Sequence, residues 1–294
     1  MTGVDSTRND AGPVRTEHMH ASCRRALEHV AASAAGPPIE KSLRITLNFH
    51  PDRAATGAPI LRDIAETGTY LSQFATGTSN GGLTAYPGGD RWRWEESMFG
   101  GAYDGAPAHV RPVYGGLNFQ LKQVGAAPRF GSAHLRLTEE TLARATFCYP
   151  DSNLEPTAFG VADRMSLIEL AVKDEQDALD DYIEAHVHCP VRIDRDVEAL
   201  VLDPSYLDTD VESAARCLPC PIEWHPGFRL AVTELRRHPD FRGQRYIDLG
   251  TELAVNGHLT PRLIGDAARS HKYTEQDLKR VWHYLARFGA PSDQ

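Results

Sequence analysis

The chain reads as an α+β protein, and three observations carry that reading. Between about residues 43 and 223, short segments alternate apolar and polar residues and are separated by Gly and Pro turns. Helical periodicity collects instead at the two ends, over 16–35 and from about 238 onward. No internal repeat or low-complexity tract interrupts this order. Strands in the middle and helices outside them define the α+β class.

The elements follow in order. Residues 1–15, rich in Gly, Asn, Asp, Ser and Pro, carry no apolar period and read as a disordered tail. Ala26, Val30 and Ala34 lie one turn apart and predict a helix that Gly36-Pro37-Pro38 ends. Residues 43–49 alternate as a strand, and Pro51 stops its pairing, which leaves His50 and Arg53 at or just past its end. Residues 60–66 have helical spacing and stop at Gly68. Residues 70–74 read as extended and run into Thr78, Ser79 and Asn80, hydrogen-bonding residues among flexible glycines. A helix is expected to start near Asp90, with Trp92 and Trp94 either walling a pocket or plugging the core. Strands follow at 117–121, 134–137, 145–149, 197–202 and about 218–223, and 165–172 reads as a helix. The domain is expected to span 16–237, with 238–294 as a helical subregion packed on it. Thr274 caps the last helix, over 275–288, with acidic residues at its positive end.

Composition narrows the function. A chain of 294 residues can bury a full core. A net charge of −9 argues against a general nucleic-acid or anionic-membrane binder. No apolar run approaches the roughly 18 residues of a membrane span. The polar start, 1–13, lacks the apolar core of a secretory signal peptide. Five irregularly spaced cysteines make a poor disulfide framework and suggest a reducing compartment. Cys217 and Cys220 form a lone CxxC, a weak zinc signal even with His186, His188, Cys189 and His225 in view.

The stretch YIEAHVH, 182–188, has a period of two, which puts Glu184, His186 and His188 on one face of a strand. Such a face needs solvent, a metal or a substrate. Glu184 could stabilise a cation in catalysis, the trio could bind a metal, or the face could simply be polar and exposed. The order of an arginine after a strand (Arg53), a Thr-Ser pair (Thr78, Ser79) and a strand carboxylate (Glu184) suits a split-sheet NAD site. In that site a guanidinium pairs with diphosphate oxygens and the carboxylate faces a developing oxocarbenium ion.

Arg, Ser and Glu in this order resemble the R-S-E class of mono-ADP-ribosyltransferases. Four strings, NFHPDR (48–53), YLSQFATGTSNGG (70–82), GGDRWRWEESMFGGAY (88–103) and YIEAHVH, together resemble one bacterial family. This is the CteC-type effectors, which ADP-ribosylate ubiquitin on threonine. The likeness covers about residues 43–205. It implies an ADP-ribosyltransferase-like split β-sheet, NAD as cofactor, no metal, and ubiquitin as protein partner. It makes Glu184, Ser79 and Arg53 catalytic, with Arg53, His50, Thr78, Ser79 and Asn80 binding NAD. It also implies a soluble protein made in a bacterial cytoplasm and delivered to a host cytosol. The chain departs from the class pattern at Thr78-Ser79-Asn80, in place of Ser-Thr-Ser, and at Tyr182, in place of Glu or Gln. The second departure disfavours arginine as the acceptor and suits a hydroxyl. Two readings of other classes stand beside it: a metal-dependent hydrolase using Glu184, His186 and His188, and a non-catalytic effector binding module.

Overall fold

A computed structural model describes residues 19–53, 59–77 and 84–291. The expected tail at 1–15 lies outside them. The fold is α+β, as the sequence predicts, built on one mixed eight-stranded sheet. Its strands are β1 (Ile45–Phe49), β2 (Val113–Leu117), β3 (Ala133–Leu137), β4 (Ala145–Tyr149), β5 (Ala158–Val161), β6 (Ile183–Val187), β7 (Val197–Leu202) and β8 (Ile222–Trp224). They run in the order β8-β7-β3-β1-β2-β6-β4-β5. Every neighbouring pair is antiparallel except β7 with β8.

The helices follow from their residues. In α1 (Ala21–Ser33), Cys23, Ala26 and Val30 fall on one buried face, and the His20 ring accepts the Ser22 N–H at the start. The apolar face of α1 packs with Met98, Phe99 and Tyr103 in one cluster. Helix α2 (Ile60–Thr67) ends at Gly68, whose φ of 63° is the left-handed cap that glycine adopts freely. Helix α3 spans Asp90–Met98, and α4 spans Leu167–Lys173. The C-terminal subregion holds α5 (Gln244–Leu253), α6 (Pro261–Arg269) and α7 (Glu275–Phe288). The Thr274 hydroxyl accepts the Asp277 N–H at 3.1 Å, the expected cap. Buried Leu278, Val281, Trp282 and Leu285 line the inner face of α7. The Trp282 indole donates to the carbonyls of Pro128 and Arg129 at 3.1 and 3.0 Å, which fastens this helix onto the sheet side of the molecule.

Two local expectations are corrected. Residues 70–74 do not stay extended: after the short strand Thr69–Tyr70 comes a helical turn, Gln73–Thr76. The Ser72 hydroxyl accepts the Ala75 N–H and Gly77 closes the turn at φ 66°, so local capping overrides β propensity. The strand expected at 117–121 ends at Leu117, because Asn118 bonds Lys122 N and O through its amide and makes a turn. The edge strand β5 was not foreseen. Among the described residues, no helix is long and apolar enough to cross a membrane.

Candidate active site

The sheet is joined at its centre by few bonds. Strand β2 pairs with β6 along all five residues, but β1 meets β2 only at Ile45–Leu117 and Thr46–Gly116. Beyond those pairs the two strands are not paired. Glycine makes the junction possible. A Cβ on Gly115 would lie 2.6 Å from both Leu47 Cδ2 and Thr46 O, and one on Gly116 would lie 2.8 Å from Ala126 Cβ. A small cleft lies beside this junction, lined by Asn48, Arg91, Tyr114, Ser152, Tyr182 and Glu184 among others. A neighbouring cavity of about 1180 Å³ shares the walls Tyr70, Gln73 and Tyr114 and continues along α2 past Ile60, Ile64 and Thr67.

Glu184 sits mid-strand on β6 and is buried. Its Oε1 faces His186 Nε2 at 2.9 Å, and its Oε2 accepts the Ser152 backbone N–H at 3.3 Å and hydroxyl at 3.1 Å. Burial pushes its pKa up, but the hydrogen bond from His186, the Arg91 guanidinium and the Ser152 hydroxyl outweigh it. The net shift is downward, so the carboxylate is ionised at neutral pH. Ser152 is held in turn. Asp151 accepts the Asn153 N–H at 2.9 Å and the Tyr182 phenol O–H at 2.7 Å. Tyr182, two residues before the glutamate, therefore shapes the loop that holds the carboxylate.

Arg91, from the first turn of α3, is 4% exposed and stacks on the Tyr114 ring at 4.0 Å. Its Nε and Nη1 are buried and find no hydrogen-bond acceptor among the described residues. Two buried nitrogens of a cation without acceptors are costly unless a ligand or water meets them. Glu95, one helical turn on, accepts from Arg111 at 2.6 Å and from the Tyr114 hydroxyl at 2.7 Å, which fixes that ring. Burial pushes the Glu95 carboxyl up to about 7, against the pull of Tyr114 and Arg111. The tryptophans act as supports: Arg111 lies over Trp92 at 3.7 Å, and Trp94 packs on His186 at 5.1 Å.

The other expected site residues divide. Thr78, Ser79 and Asn80 lie outside the described residues. His50 and Arg53 do not join Glu184, which corrects the expectation of one shared pocket. They line a separate cavity of about 1500 Å³ with Asp52, Gly265 and Trp282. The cause is the turn at Pro51-Asp52, which carries the chain from the end of β1 toward the C-terminal helices. There the His50 ring meets Trp282 edge-on at 4.8 Å, and burial holds its pKa well below the usual value. Of the NFHPDR string, Asn48 is the residue that lines the Glu184 cleft; its amide bonds Val124 O at 2.9 Å.

Among the described residues, one group has metal-ligand spacing: Cys148, Glu184 and His186, with donor atoms within 4.8 Å of one another. His188, proposed as a ligand beside them, turns its Nδ1 to the Tyr103 hydroxyl at 2.6 Å instead. His225, considered with the CxxC, bonds Ser132 O at 2.8 Å. Sequence reasoning missed Arg91, Ser152 and Asp151 as site residues. Arg91 lies inside a quoted string, but nothing in the spacing ties Ser152 to Glu184 across two strands.

No curated protein matches this chain. The model of a family described as a protein of unknown function (DUF3626) matches residues 44–176 and 162–288, and the chain belongs to that family.

Proposed function

We propose that this chain is a mono-ADP-ribosyltransferase that uses NAD to modify a threonine hydroxyl of ubiquitin, blocking host ubiquitination, with Glu184 as the catalytic carboxylate. The observation that carries the proposal is Glu184 itself: a buried, ionised carboxylate beside the short β1–β2 pairing, facing a cleft that also holds a cation. The resemblance in sequence supplies the reaction and the acceptor, and the geometry supplies groups suited to both. The open N–H groups of Arg91 fit phosphate or ribose oxygens. Tyr70 and Tyr114 line both of two adjoining cavities, where they can meet flat rings. Bound NAD supplies a ribose–nicotinamide bond whose cleavage develops positive charge. Glu184 accepts a ribose hydroxyl and stabilises that charge, a task only the ionised form performs. In this reading Arg91 takes the anchoring part that the sequence suggested for Arg53. The site of action is a host cytosol, reached after delivery.

The test is intact-mass spectrometry of ubiquitin incubated with the protein and NAD, beside Glu184→Gln. A gain of one ADP-ribose unit that the variant lacks supports the proposal. Nicotinamide release without any gain would shift the acceptor away from ubiquitin, and no change in either would refute the reaction. A second reading, a metal-dependent hydrolase, draws on the Cys148, Glu184 and His186 group. It requires purified protein to carry stoichiometric metal and to lose a hydrolytic activity on chelation. The first reading is preferred because the resemblance in sequence points to it and because His186 Nε2 is engaged by Glu184.

A further inference from the structure

We infer that Tyr103, His188, Thr146 and His186 form a one-way hydrogen-bond chain behind Glu184 that fixes the direction of its carboxylate. The consequence for transfer rests on the function proposed above; the chain itself rests on geometry alone. Four contacts define it. His186 Nε2 lies 2.9 Å from Glu184 Oε1, and His186 Nδ1 lies 3.2 Å from Thr146 Oγ1. Thr146 Oγ1 lies 3.0 Å from His188 Nε2, and His188 Nδ1 lies 2.6 Å from the Tyr103 hydroxyl. Thr146, His186 and His188 are fully buried and Tyr103 is 2% exposed, so water does not complete these bonds.

The sheet register builds the chain. Thr146 on β4 is paired with His186 on β6, and the two-residue period sets His188 on the same face. One hydroxyl therefore sits between two imidazoles. Tyr103, from the segment after α3, lies parallel to the His188 ring at an interplanar angle of 10°.

The polarity then follows link by link. An ionised carboxylate only accepts, so His186 carries its proton on Nε2. The proposed chain includes a neutral His186 ring, whose Nδ1 then only accepts, so the Thr146 hydroxyl donates to it. A hydroxyl has one proton, so toward His188 Thr146 accepts, and His188 Nε2 donates. Burial, with the charge of Arg144, keeps His188 neutral. Its Nδ1 therefore accepts, and the Tyr103 O–H donates to it. Burial keeps that phenol protonated. All four donors point toward Glu184. Reversing the chain requires a second proton on His186, so polarity and charge are tied together. Thr146, His188 and Tyr103 are positioning residues: each acts on the carboxylate through the next.

The test uses the full-length protein labelled with ¹⁵N and long-range proton–nitrogen spectra of the imidazoles at neutral pH. His186 and His188 are assigned by single replacement with Gln. Both rings are expected as neutral Nε2–H tautomers. Thr146→Val is expected to shift both ring signals and to lower the transfer rate roughly ten-fold, with NAD affinity unchanged. Thr146→Ser, which keeps the hydroxyl, is expected to restore both. Should Thr146→Val fail to fold, Tyr103→Phe serves in its place, moving the His188 Nδ1 signal to that of an unbonded nitrogen. A proton on Nδ1 of either ring overturns the inference, as does a transfer rate that Thr146→Val leaves unchanged. Ring tautomers as expected in a protein that never consumes NAD would uphold the chain and sink the proposed reaction instead.

Discussion

Glu184 and Asp52 are both carboxylates drawn into cavities of the same sheet, yet their surroundings drive them in opposite directions. Glu184 receives three donors, from His186 and from the backbone and hydroxyl of Ser152, with the Arg91 charge nearby, and its pKa falls. Asp52 receives the Tyr206 phenol at 2.8 Å, and burial wins: its pKa is pushed up to about 6. Burial against one close donor therefore raises a carboxyl's pKa, and several directed donors with a nearby cation lower it. The proposed reaction, which asks for a carboxylate held in its ionised form by directed donors, is therefore placed at Glu184 rather than in the Arg53 cavity.

The sharpest way to break this comparison is to neutralise each carboxylate. Glu184→Gln is expected to lower ADP-ribose transfer by about 10²–10³-fold, the scale of losing one electrostatic contact to a transition state. Asp52→Asn is expected to leave transfer near the original rate. Nicotinamide release, followed by chromatography, measures both. The cations come next. Arg91→Ala is expected to weaken NAD binding by roughly ten-fold or more, since a hydrogen bond to a charged group is worth about 1.5–3 kcal/mol. Arg53→Ala should change it little, and calorimetric titration compares the two.

The pH dependence of stability gives a smaller effect with opposite signs. The folded pKa of Asp52 lies above its ordinary value of 3.8, so the folded state holds the proton more tightly. Stability is therefore lost as pH rises from about 4 to about 6. Asp52→Asn should remove that slope, worth on the order of 2 kcal/mol. The folded pKa of Glu184 lies below its ordinary 4.5, so its contribution is present above that pH and lost as pH falls through the folded value. Glu184→Gln should flatten the acid limb. Urea midpoints measured across pH 3 to 7 would separate the two, and slopes of the same sign would contradict the comparison. Smallest of all, Tyr182→Phe removes the bond to Asp151 and should cost about 1 kcal/mol in the same assay.

Sequence reasoning reached the parts of this molecule that depend on local pattern. The alternation at 183–187, the cap at Thr274 and the stop at Gly68 are written into neighbouring residues, and each element stands where the pattern puts it. The turn at Gln73–Thr76 was misread because a single serine cap outweighs the extended preference of Tyr70 and Phe74. The site was half legible. Glu184 and His186 share a strand, so their pairing follows from a period of two. Ser152 reaches Glu184 from a loop after β4, and Arg91 arrives from a helix, contacts that only the folded chain creates. Arg53 was tied to Glu184 by chain order, and order is silent on the turn at Pro51 that sends it elsewhere.

On the proposed reading NAD binds where Glu184 and Arg91 meet. A crystal structure of the Glu184→Gln protein with NAD is the decisive measurement. Density is expected for the nicotinamide ribose against residue 184, with ligand oxygens on Arg91 Nε and Nη1. Density in the cavity of His50 and Arg53, with the Glu184 cleft holding only solvent, would contradict that reading.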